Sequence, residues 1–478
     1  MKRIVTLIVL SFSLLLLASC KGKESGDLKI SVFLGGYGQV WINTLARKFE
    51  QENEGVTVKV EANPGLPYEI PNRLQNGSDD DIFFSHGIKW EKPALQGYLE
   101  NLDDLYEMEV ENGVKFKDRV SKDFLDTAKF NDSYYKVPWT NGAGGIIYNA
   151  KMFRENGWEV PKTYEELVEL CDLIYASNIK VNPNDIKPNA PTIKPFVWSS
   201  EIYYWDYLVF DWWAQLAGID KINQHKKLET AEVFNPAVNP ESMQAFEAWA
   251  NLVAKRPQQS MEDSVGKQYM AAQMDFINGY AAMIPNAQWL EMEMYSNLDP
   301  EKIEMALMPT PFLANAKKDS NGKPIRVNYA VGAGDSIIIP AFSQNKALAK
   351  KFLLFMARND NLRLFTEKTN GVMLAMDYSG VEFDEENLTL FAKTVLDVNK
   401  NSKKFNFYTQ SLLVLEGKVA VEWAPEGLQH YGDYFNYYNN SRYITDPDNY
   451  PEKNVFDTFN STYQVVKNNW ERWQSELR

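Results

Sequence analysis

From residue 28 the chain alternates, with Leu28, Ile30, Val32 and Leu34 separated by Lys29, Ser31 and Phe33, and the run stops at Gly35 and Gly36. Period-two patterning that ends on glycine predicts a strand and a turn. The period then changes to that of a helix, with Ile42, Leu45, Ala46 and Phe49 on one face and Gly55 closing the segment. Val56, Val58 and Val60 restore the alternation as a second strand. This β-α-β unit closes right-handed into a parallel sheet, and Asp81–Ser85 (DIFFS) reads as a third, buried strand. The first part of the chain is therefore predicted to be doubly wound.

Next, KVPWTNGAGGIIYN (136–149) sets Pro138, Trp139 and glycines 142, 144 and 145 between two β-like runs. A phosphate-cradling turn would feed its glycines into a helix N-terminus, and these lead into a strand, so that chemistry is rejected. Thr163 and Glu166 have capping-box spacing, predicting a helix from Tyr164 with Leu167, Leu170, Cys171 and Ile174 on its core face. Residues 182–195 read as an exposed connection, and the block after them is dense in aromatic rings, with Trp212 and Trp213 on a core-like helical run. Later, Ile337–Ile339 reads as a strand and Ser343 as a cap. Leu348, Phe352, Phe355 and Met356 then share one helix face. Helical segments are expected to close the chain, and no internal repeat is visible.

At 478 residues the chain exceeds one hydrophobic core, so at least two are expected. Charged residues make up 24%, the profile of a water-soluble body. The formal charge of −14 and the lack of a basic cluster exclude a nucleic-acid partner. Lys2, Arg3 and the apolar run from Ile4 to Leu17 have the pattern of an export signal. The run ends in LASC, which resembles a bacterial lipobox. That likeness implies a signal peptide over residues 1–19, a lipid-carrying Cys20 and a tether over residues 20–27. Cys171 is then the only other cysteine, so no intramolecular disulfide is expected. His86, His225 and His430 lack metal-ligand spacing, there is no G-x-S-x-G elbow, and neither SDDD (78–81) nor DPDNYPE (446–452) has full calcium-loop spacing. No catalytic residue, metal or cofactor is assigned.

Four places carry a family resemblance: the lipobox, NDSYYKVPWTNGAGGIIYNAKMFRENGWEVPKTYEELVEL, FINGYAAMIPNAQW, and SIIIPAFSQNKALAKKFLLFMA. In that order the chain resembles the extracellular solute-binding lipoproteins of ABC importers, of the large sugar-binding type that includes the maltose-binding protein. The resemblance implies a type II periplasmic-binding-protein-like α/β fold in two lobes, each a mixed sheet flanked by helices, with the ligand cleft between them. Lobe one would hold residues 28–139 and 334–372, and lobe two residues 143–330 and 376–478. Pro138, Gly142, Gly144 and Gly145 would lie at the first crossing and act as a hinge, where glycine absorbs dihedral change at least steric cost. The implied partners are a carbohydrate, the permease subunits of an ABC transporter and a membrane surface reached through the lipid anchor. The protein would be an exported monomer on the periplasmic face or outer cell surface.

Ligands of doubly wound sheets meet the loops beyond the carboxyl ends of the strands. That rule selects Gly36, Tyr37 and Gly38, then Asn63 and Gly65, then Ser85 and His86. A sugar offers C–H faces and a hydroxyl rim, so its cleft wants exposed rings with amides and carboxylates. The candidates are Trp139, Tyr204, Trp205, Asn286, Gln288, Trp289, Asp335 and Trp423. Trp and Tyr also build cores, so about half of these rings are expected to be structural. Trp139 and Trp289 lead because they follow motifs that border the cleft in the family. Two other readings stay open: a lipid-anchored glycosidase or lyase, and the same fold holding a peptide, polyamine or phosphorylated polyol.

Overall fold

The computed structural model describes residues 26–199, 204–227, 229–332, 335–406 and 455–476. The signal segment, Cys20, residues 21–25 of the tether, Trp423, His430 and the DPDNYPE stretch lie outside them, while Gly26 and Asp27, expected in the tether, pair with Val56 and Thr57 as the start of the first strand. In chain order, the strands of the two principal sheets are β1 (Gly26–Phe33), β2 (Val56–Asn63), β3 (Ile82–Ser85), β4 (Val137–Pro138), β5 (Gly144–Asn149), β6 (Lys194–Phe196), β7 (Ala281–Ala287), β8 (Met305–Met308) and β9 (Ser336–Ile338).

The first sheet runs β2-β1-β3-β9-β4. β1 is parallel to β2 and β3, and β9 runs antiparallel to both β3 and β4. The apolar run IFF of β3 fits its place inside the sheet, where these residues and Ser85 after them are all buried. The helix Val40–Glu52 lays Trp41, Ile42, Leu45, Ala46 and Phe49 onto this sheet, the predicted face with Trp41 added. Leu348, Phe352, Phe355 and Met356 of the helix Lys346–Met356 complete the same core. Ser343 does not cap that helix, which starts after Asn345. Its hydroxyl donates to Asp81 Oδ1 at 2.6 Å and accepts from the Asn345 N–H at 3.1 Å, closing a turn ahead of the helix.

The second sheet runs β6-β7-β5-β8. β7 is parallel to β6 and antiparallel to β5, and all seven of its residues are buried. Pro285 is tolerated inside β7 because β6 pairs only as far as Met283, so the missing N–H leaves no ladder bond broken on that side. The helix Trp205–Ala217 is buried almost all round, with Trp205, Trp212 and Trp213 in the second core. The capping box is present: the Glu166 N–H donates to Thr163 Oγ1, and the Glu166 carboxylate accepts from the Thr163 N–H. Cys171 packs in the same core, where burial pushes its thiol far above the ordinary range, so it is a small apolar residue.

Among the described residues the chain passes between the lobes three times. It leaves the first sheet after β4, returns to it at β9, and leaves again after Met373–Leu374 for the helix Leu390–Asn401, which packs on β8. Short pairings join the passages: Thr140–Asn141 with Met373–Leu374, Val327–Tyr329 with Lys403–Phe405, and a bridge from Gly142 to Val331. The last described helix, Val455–Glu476, lies on the second lobe, where Phe459 meets Phe246 with ring centroids 6.0 Å apart.

Candidate ligand cleft

On the first lobe, β1 ends in a tight turn closed by the Gly38 N–H on Gly35 O at 2.9 Å, with Gly38 at φ 60°. The turn projects Tyr37 toward the first crossing. There its ring meets Trp139 edge-on at 5.5 Å, and its hydroxyl lies 3.3 Å from Thr140 Oγ1. Thr140 in turn donates to Asp335 Oδ2 at 3.5 Å, and Gln288 of the second lobe donates to Tyr37 Oη at 3.4 Å. A polar chain from Asp335 through Thr140 and Tyr37 to Gln288 therefore spans the two lobes. Gln288 is itself held by the crossing, since its N–H donates to Ala143 O at 3.0 Å and its Oε1 accepts from the Ala143 N–H at 3.4 Å.

On the second lobe, β7 ends at Ala287 and delivers Trp289 to the start of a short helix. Its ring lies 5.8 Å from Tyr204 and 6.3 Å from Tyr207, and Tyr207 stacks on Tyr329 at 6.0 Å and 22°. These four rings are half-buried and form a continuous aromatic wall. Two glycines let backbone approach it. A Cβ on Gly36 would fall 2.4 Å from Trp289 Cβ, and one on Gly144 would fall 2.5 Å from Tyr207 Cδ2.

The carboxylates of the cleft are Asp206, Glu293 and Asp335. Burial raises Asp335 to about 7, against the pull of Lys136 and its bond from Thr140. Lys136 is fully buried over the Trp90 ring, and burial lowers it to about 8 although Glu91 and Asp335 favour its charge. Burial also raises the phenols of Tyr37, Tyr204, Tyr207 and Tyr329, assisted by Asp335, Glu293 and Asp206. All four stay neutral and can both donate and accept hydrogen bonds.

The expected residues divide. Tyr37, Gly38, Tyr204, Trp289 and Asp335 come together half-buried around the seam, and Gln288 joins them fully buried beneath it. Trp139 does not present a face: it is 1% exposed, wedged against Trp41 at 6.0 Å and Phe84 at 5.8 Å. It follows directly on β4, the edge strand of the first sheet, and packs into the first core. Trp205 is likewise core, edge-on to Phe196 at 5.0 Å, because the first turn of its helix faces β6. Asn286 is fully buried within β7, opposite Gly145. Ser85 is buried and donates to His86 O at 3.0 Å, while His86 is exposed and edge-on to Phe33 at 4.3 Å. Asn63 serves its own turn, accepting from the Gly65 N–H at 2.7 Å.

At the crossing, Pro138 pairs opposite Ser336, Gly145 takes φ 150°, and Gly142 and Gly144 sit where a side chain would strike Val331 and Tyr207. Sequence reasoning missed Tyr207, Tyr329, Thr140 and Asp206. The signal for Tyr207 lay in the helical period after Trp205, which sets it on the face shared with Asp211. Tyr329 and Thr140 gave none, since each is placed by pairing between distant segments.

The sequence model for bacterial extracellular solute-binding proteins matches residues 35–362. The chain is 24% identical over 368 residues to the multiple sugar-binding protein of Streptococcus mutans, covering 74% of this chain and 78% of that one. It is 24% identical over 337 residues to the diacetylchitobiose binding protein NgcE of Streptomyces coelicolor, covering 70% of this chain and 66% of that one. Among solved structures, the sugar-binding protein MalE of Xanthomonas citri superimposes with a TM-score of 0.64 at 16% identity, over 95% of this chain and 100% of that one.

Proposed function

Because the chain belongs to the bacterial extracellular solute-binding proteins, we propose that it captures a carbohydrate in the cleft between its lobes and hands it to the permease of an ABC importer. The observation that carries this reading is the wall of four half-buried rings facing a polar chain built from both lobes. Rings pack on the C–H faces of a pyranose, while Tyr37 and Asp335, held in place by the buried Thr140 and Gln288, match its hydroxyls. Relatives named for binding several sugars and diacetylchitobiose support the same class. The ligand would be shared by both lobes only when they are closed, so binding drives a population shift.

The protein acts in this reading as an exported monomer without catalytic activity, held on the membrane by lipid on Cys20. Residues 28–139 with 334–372 move against 143–330 with 376–478, and Pro138, Gly142, Gly144 and Gly145 serve the hinge. Mass spectrometry of the small molecules that co-purify, followed by isothermal titration of a glycan panel, tests it. Stoichiometric retention of an intact saccharide is expected. Release of cleaved product would make the protein an enzyme, and binding confined to peptides, polyamines or phosphorylated polyols would change the ligand class.

A further inference from the structure

Behind the aromatic wall, where the passages between the lobes run side by side, lies a buried polar network that meets the cleft only through the backbone of Tyr329. Lys404 Nζ donates to Gly142 O at 2.9 Å and to Asn328 Oδ1 at 2.8 Å. The Asn328 amide then donates to Gly144 O at 3.0 Å and to Asp211 Oδ2 at 3.0 Å. Asp211 also accepts from the Thr310 hydroxyl and the Tyr329 N–H. Exposure is 7% at Lys404, 2% at Asn328 and 0% at Asp211, so water replaces none of these bonds.

The placement carries the inference. Asp211 follows Tyr207 by one helical turn on the same face, and its other oxygen holds the backbone of Tyr329, the ring stacked on Tyr207. Gly142 and Gly144 bracket the first crossing, and Gly142 also donates to Val331 O of the second at 2.9 Å. One ammonium therefore fixes the crossing backbone at one end of an amide whose other end meets the carboxylate anchoring the wall. Burial pushes Asp211 up and Lys404 down, each opposed by the other's charge, and the amide between them sets its oxygen toward Lys404 and its nitrogen toward Asp211. Lys404 further faces Asp123 of the first lobe, which in turn faces Lys226 of the second.

We propose that Lys404, Asn328 and Asp211 are positioning residues that couple the inter-lobe crossing to the Tyr207–Tyr329 wall, so that closure and ligand affinity depend on them although none touches the ligand. The inference rests on reading the crossing as the hinge and the wall as the ligand's seat. Removing one charge leaves the other buried and unmatched, whereas removing both restores neutrality, so a coupling role predicts rescue in the double variant.

In a Cys20→Ser background, nitroxide labels on Leu95→Cys and Ile186→Cys, 70% and 92% exposed, report the inter-lobe distance, since Cys171 is buried. The reference is expected to give a narrow distance distribution. Lys404→Met and Asp211→Asn should each broaden it and weaken N,N′-diacetylchitobiose or maltotriose at least tenfold, with the double variant recovering at least half of both losses. If Lys404→Met does not fold, Asp211→Asn and the double variant carry the same comparison. Unchanged distributions in the single variants, or a double variant no better than either, would overturn the proposal. If the reference binds no glycan, the sugar reading fails while the distance measurement still decides the coupling.

Discussion

Gly36 shows how much one absent methyl group can do. Its Cα rests on Trp289 across the seam, and an alanine there would put Cβ 2.4 Å from Trp289 Cβ. Gly36→Ala is therefore expected to hold the lobes apart and to weaken ligand binding at least tenfold in titration, while each lobe keeps its own core. Asp335, held near 7 by burial, supplies a pH signature. Below pH 7 it gains a proton and ceases to be an acceptor on both oxygens, so affinity should fall on acidification and Asp335→Asn should flatten the profile. His225 acts on stability instead. It is packed edge-on to Trp213 at 4.9 Å, and burial, with Lys221 adding to it, lowers its proton affinity to about 3. The unfolded chain takes up that proton below about 6.5 and the folded one does not. Stability should thus fall from about pH 6.5 to 3 by at most about 1.4 kcal/mol per unit, and His225→Phe should remove this slope in acid denaturation. At this scale the sequence was only partly legible. Trp139 and Trp289 look alike in the chain, but one follows the edge strand β4 and turns into the core while the other starts a helix at the seam. Only tertiary pairing separates them.

At the scale of elements, local chemistry was legible wherever it acts locally. The Thr163 and Glu166 spacing predicts a helix start and the reciprocal bonds are present. Thr163→Ala should cost about 1 kcal/mol and lower the thermal midpoint by about 2–4 °C in calorimetry. The apolar faces of the helices Val40–Glu52 and Lys346–Met356 follow from their periodicity alone. Elements defined by distant partners were less legible. Ser343 carries a capping residue's chemistry, yet it bonds Asp81, more than 250 positions earlier. The glycines after Trp139 were expected for dihedral freedom. In the structure Gly142 and Gly144 answer to close approach, the first beneath Val331 O and the second beneath the Tyr207 ring.

Across the whole molecule, the largest core of each lobe is separate from that of the other and thin passages join them, which makes unfolding in more than one step the expected outcome. A ligand that bridges both lobes should merge those steps, adding about 2.7 kcal/mol at a hundredfold excess over its Kd. Differential scanning calorimetry with and without glycan checks both statements, and two transitions insensitive to every glycan would contradict them. The two-lobed architecture was legible because the order of strands, helices and glycine stops follows from periodicity. Which segments cross, and how Lys404 reaches Gly142 over 262 positions, was not, because no short-range pattern encodes it. The first described strand lies in the first sheet and the last described helix packs on the second lobe, so the two belong to opposite halves. Fluorophores fused before and after them would ride on different bodies, and energy transfer between the pair would turn this receptor into a ratiometric sensor of its own cargo.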